Sequence, residues 1–127
     1  MSTVIRSEIS KANPYYISKH RYLELKHFCL QYNEWKEEYK NLLEMVPNDF
    51  DPTSKVGTRL AMLSRRMEMV QECAKSVDEV LGDYIFDAVT GEHSYTYERQ
   101  IKGIPCCRSV YYDLYRKFMF ELGKRRE

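Results

Sequence analysis

Ile101–Phe118 reads IKGIPCCRSVYYDLYRKF. A Gly-Ile-Pro break and two adjacent cysteines lead into a run dense in tyrosine and positive charge. Val110, Leu114, Phe118 and Leu122 recur at steps of four, so the spacing predicts a helix with one apolar face, entered through a sharp turn at Gly103. Three readings fit such a stretch: the reading head of a nucleic-acid-binding domain, a zinc or redox site on the vicinal cysteines, or an amphipathic helix with a solvated basic face. The surrounding sequence has to separate them.

Just upstream, SYTYERQI predicts a short helix with Ser94 or Thr96 as its cap. A short helix, a tight turn containing Gly and a second helix with a polar start describe a helix-turn-helix, whose second helix enters the major groove. In that reading Ile101 and Ile104 pack the turn inward, and Val110 and Leu114 anchor the last helix. Cys107, Arg108, Tyr111 and Tyr112 lie near its outward start, where an Arg reaches a guanine edge with two hydrogen bonds; Arg99, Lys102, Arg116 and Lys117 hold phosphates.

Charge is distributed to match. The net charge of the 127-residue chain is only +1. Residues 76–98 nevertheless carry six acidic side chains and no Lys or Arg, whereas residues 99–127 carry eight Lys or Arg against three acids. A local basic surface binds phosphate even on a nearly neutral chain.

Further upstream the pattern is helical throughout. Ser18 predicts an N-cap, and Leu25, Phe28, Tyr32, Trp35, Tyr39, Leu42 and Val46 form a continuous stripe over one long helix, about residues 19–45. Pro47 ends it, and Asp51-Pro52 predicts the start of a second helix whose stripe runs Val56, Leu60, Leu63, Met67, Val70, Ala74, Val77. Two stripes joined by a short loop predict an antiparallel hairpin with coiled-coil-like packing. Ser76 and Glu79 match a capping box that opens a third helix, VDEVLGDYIFDAVT, closed by Gly91; the stripe of the second helix runs on through Leu81, so a bend is the alternative. No segment alternates as a strand does. The expected fold is all-α: a loosely ordered segment (1–17), a helical hairpin (18–75) and a small C-terminal helix-turn-helix bundle (76–127).

Other classes are disfavoured. No apolar run approaches a membrane span, and the N-terminus lacks the apolar centre of a signal peptide, which points to the cytoplasm. Cys29, Cys73, Cys106 and Cys107 show no pairing at zinc-finger spacing, and adjacent cysteines suit neither a tetrahedral site nor an easy disulfide, so no metal or cofactor is expected. There is no phosphate-cradling glycine motif and no H-E-x-x-H, and His20, His27 and His93 are scattered, so no enzyme is expected.

DPTSKVGTRLAML, SVDEVLGDYIFDAVT and GIPCCRSVYYDLYRKFMFEL resemble phage and prophage transcriptional regulators of the RinA and ArpU type, over about residues 51–122. The most specific part is GI…RSVYY…RKF. The resemblance implies a small all-helical protein whose C-terminal helix-turn-helix is similar to the promoter-reading domain of sigma factors. It implies activation of late phage genes in a bacterial host, double-stranded DNA as partner and binding roles for Arg108 and Tyr112. The acidic helix, residues 77–90, is expected to face away from the duplex and to be available to a basic surface such as one on host RNA polymerase, and a second copy of the chain is a further expected partner. Pro105 and Cys106 depart from the family's turn, and Asp113 stands where a basic residue is expected. The competing class is a phage accessory interaction protein, an inhibitor of a host system or a packaging adaptor, working through Tyr15, Tyr16, Tyr22, Tyr32 and Tyr39.

Overall fold

A computed structural model describes residues 11–47 and 50–127; the expectation for residues 1–10 lies outside it. The described chain is all-α, with six helices: α1 Lys19–Leu30, α2 Tyr32–Glu44, α3 Lys55–Val77, α4 Gly82–Gly91, α5 Tyr95–Gln100 and α6 Arg108–Arg125. None is long and apolar enough to cross a membrane.

The predicted long first helix is broken at Gln31. Its side-chain amide donates to the carbonyl of His27, the acceptor that helix continuation assigns to its own backbone N–H, and that N–H bonds Phe28 instead. The two halves differ in their main neighbours: α2 pairs most closely with α3, while α1 packs chiefly against α4 and α6. The α2–α3 pair is antiparallel: Glu38 faces Arg59 in a two-pronged ion pair, Trp35 faces Arg66, and Tyr32 accepts a hydrogen bond from Gln71.

Local chemistry sets the helix starts. Ser18 caps α1 by accepting from Arg21 N–H at 3.2 Å, as its position predicts. The start of α3 is corrected: Asp51 closes a turn on Thr53, and Ser54 is the cap, accepting from Gly57 N–H at 3.1 Å. Gly57 is required there, because a Cβ would lie 2.2 Å from the Pro52 carbonyl oxygen. The start of α4 is corrected too. Ser76 spends its hydroxyl on the Cys73 carbonyl inside α3, and Asp78, in an extended conformation, caps the next turn by accepting from Val80 and Leu81.

One apolar cluster joins the helices of the described chain. Leu25, Phe28, Trp35, Leu63 and Val70 from the first three helices share it with Ile85, Ile104, Phe118 and Leu122. Leu60, from the same stripe as Leu63, is also buried. A boundary at residue 75 therefore does not separate two cores. The segment expected to be loose before α1 is also partly fixed, since Asn13–Tyr16 forms a turn and the Tyr15 ring lies 5.8 Å from Phe120.

Candidate nucleic-acid interface

α5, the connection 101–107 and α6 form the predicted helix-turn-helix order, with α4 packed against both helices. Ser94 caps α5, accepting from Tyr97 N–H at 3.1 Å. Gly103 turns the chain with φ +76, a conformation that glycine adopts without a Cβ clash. Ile104 is fully buried beyond it, and its N–H donates to the Glu98 carbonyl at 2.9 Å. The Tyr95 hydroxyl donates to the Cys106 carbonyl at 2.7 Å, so the Pro105-Cys106 stretch is pinned to α5. Cys107 then sits at the N-cap position of α6.

The phase of α6 differs from the one its leucine spacing predicts. Tyr111, Tyr112, Tyr115, Phe118, Met119 and Leu122 are buried, while Val110 is 41% exposed. Buried tyrosine needs a partner for its hydroxyl, and here the hydroxyls of Tyr115 and Tyr22 lie 3.3 Å apart inside the core. Tyr111 and Tyr112 are thus packing residues, and their outward placement is corrected. Ile101, expected inside the turn, is 66% exposed.

The remaining predicted residues sort by what they touch. Arg108 is exposed, its guanidinium 5.0 Å above the Tyr95 ring, and it forms no ion pair among the described residues. Cys107 is exposed, and Lys117 is half-buried. Arg99 is exposed but donates to the Ile104 carbonyl at 3.2 Å, bracing the turn. Lys102 reaches Asp87 at 3.9 Å. Arg116 lies mostly inward and pairs with Asp113 at 3.1 Å, so it is not a free phosphate contact; the pair also offsets the acidic charge of Asp113 beside the helix start. The exposed first turns of α6 therefore present Cys107, Arg108, Ser109, Val110 and Asp113. A projecting cation above an aromatic ring, with no carboxylate partner, retains its hydrogen-bonding capacity for an incoming anion or base edge.

Beneath the turn lies an ionic cluster that the sequence did not suggest. His93 Nδ1 is 2.8 Å from Asp87 and 3.5 Å from Glu98, which is fully buried. Burial, reinforced by the neighbouring Asp87 carboxyl, pushes Glu98 up to about 8. Burial alone would raise Asp87 as well, but hydrogen bonds from Glu98 and His93 hold it below the ordinary carboxylate value. The three residues come from α4, the following loop and α5, at separations of six and five, a spacing that belongs to no linear motif.

No family model matches the chain, and no curated protein or solved structure matches it either.

Proposed function

We propose that the chain is a sequence-specific double-stranded DNA-binding regulator of phage transcription, with α5–α6 as its helix-turn-helix and the exposed start of α6 in the major groove. The carrying observation is the unpaired Arg108 guanidinium, projected from the first turn of α6 and steadied on Tyr95. Lys117 lies further along the same helix as a phosphate contact. The acidic α4 keeps Asp83 exposed, away from any role in phosphate binding, and offers it to a basic surface of RNA polymerase, in keeping with activation.

The competing Tyr-rich hairpin has less to offer a partner. Tyr22 and Tyr32 are buried, and Tyr15, Tyr16 and Tyr39 are half-buried.

The test is selection of binding sites from a random duplex library, followed by two substitutions on the selected site. Arg108→Ala should lower specific affinity about 5-fold to 150-fold, because a two-bonded contact to guanine discriminates by roughly 1–3 kcal/mol, and should change random-DNA binding far less. Lys117→Ala should weaken both DNAs alike and reduce the salt slope by about one unit. No enriched sequence, or identical behaviour of the two variants, would remove the DNA-reading assignment.

A further inference from the structure

The Asp87, His93, Glu98 cluster is not explained by packing or by the DNA-reading surface. Its donor atoms converge: one oxygen or nitrogen from each residue lies within 4.8 Å of the other two. The measured edges, 2.8 Å from His93 Nδ1 to Asp87 and 3.5 Å to Glu98, bracket the roughly 3.4 Å ligand-to-ligand spacing of a tetrahedral site with bonds near 2.1 Å.

The second observation is independent of that convergence. Both carboxyl oxygens of Glu98 are buried with no donor from another described residue in hydrogen-bond reach, so the side chain can bond Asp87 only by keeping a proton of its own. A buried carboxylate left without donors carries a large desolvation cost. The imidazole does not remove it, since Nδ1 lies 2.8 Å from Asp87 and 3.5 Å from Glu98. Lys102 does not remove it either, because its ammonium approaches the other oxygen of Asp87 at 3.9 Å. Two carboxyls and one imidazole converge here with only a shared proton to join Glu98 to Asp87, and a divalent ion that displaced that proton would engage all three donors at once.

We propose that Asp87, His93 and Glu98 bind a divalent transition-metal ion of the zinc class, one imidazole nitrogen and two carboxylate oxygens from the protein with water in the fourth position. The donor set selects against calcium, which takes six to eight oxygens, and against magnesium, which favours octahedral oxygen coordination. The ligands are also held ready. The His93 ring lies against Tyr97 with centroids 3.9 Å apart. The ring also uses the space that Gly91 leaves, where a Cβ would lie 2.7 Å from the imidazole. Glu92, between them, takes a left-handed conformation at φ 58 to deliver His93 into the cluster. The ion ties α4 to α5, the base from which α6 is entered, and the inference stands whether or not α6 reads DNA.

The experiment uses the full chain after treatment with a chelator. Zinc in excess should raise the melting temperature by roughly 5 °C or more. Cobalt should give visible absorption of a four-coordinate site without the near-ultraviolet band of thiolate ligation, which excludes the four cysteines as its source. Glu98→Gln preserves shape and should weaken binding at least about 10-fold; His93→Gln, at a half-buried position, should do the same and serves if the first variant folds poorly. No thermal shift, a thiolate band, or unchanged affinity in a folded variant would each overturn the assignment.

Discussion

Cys107 reports on the start of α6 without any change to the protein. Its thiol is exposed, and the backbone N–H groups of Val110 and Ser109 hold its pKa below the ordinary thiol value. Burial pushes Cys73 up to about 11 and also raises Cys29 and Cys106. Since the thiolate is the nucleophile, iodoacetamide near neutral pH should modify Cys107 first, as read by mass mapping of peptides. A duplex carrying the selected site should slow that reaction severalfold, and a random duplex at equal occupancy should slow it less. An unchanged rate with the site saturated would put the DNA somewhere other than the α6 N-terminus. Cys107 and Arg108 were expected at the outward start of the last helix and are exposed there, because the position just after a turn is a local property. Tyr111 and Tyr112 could not, because a tyrosine placed beside Arg and Asp looks exposed until its ring partners are known, and those partners, Tyr95 for Tyr111 among them, come from another helix.

The helices themselves were largely legible. Stripe spacing predicted burial of Leu25, Phe28, Trp35, Leu60, Leu63 and Val70, and all six are buried. What spacing did not reveal was the break at Gln31, where the side chain bonds the His27 carbonyl, a type of interaction that leaves no periodic trace. It did not reveal the α4 start either, where Asp78 prevailed over a plausible Ser76-Glu79 box because Ser76 is still within α3. The break matters for energetics, since it places Trp35 at the junction of both halves. Its ring is 3% exposed, meets Phe28 of α1 edge-on at 4.8 Å and lies under Arg66 of α3. Trp35→Ala should cost about 3–5 kcal/mol in a denaturant titration, with the slope nearly unchanged. A loss under about 1 kcal/mol would mean that α2 is not anchored by this residue.

Across the whole molecule, the charge contrast between residues 76–98 and 99–127 was visible at once, but the connectivity of the core was not. The Asp87, His93, Glu98 cluster escaped notice for the same reason: three elements contribute to it, and only tertiary folding brings them together. The hairpin and the C-terminal bundle look separable when each stripe is paired with its sequence neighbour. In the folded chain α6 instead lies against α1 and α3 as well as α4. Tyr115 meets Tyr22, the Cys73 thiol faces the Phe118 carbonyl, and Arg21 donates to the Gly123 carbonyl at 2.7 Å, more than a hundred residues away in sequence. Arg126 continues the seam, paired with Glu24 and stacked 4.1 Å from the Phe28 ring. A fragment of residues 76–127 would expose Phe118, Met119 and Leu122 to water while retaining only the modest packing of α4 against α5 and α6, and about 50 residues leave little margin for that loss. It should therefore show no cooperative thermal transition and bind DNA only weakly and without sequence preference, whereas the full chain unfolds in one step. Adding residues 11–75 as a separate peptide should restore the transition if the seam between α6 and the first helices supplies the missing burial. A fragment that melts cooperatively alone, with Arg108-dependent discrimination intact, would show instead that the C-terminal helices are a self-sufficient reading head and that the first three helices serve another purpose.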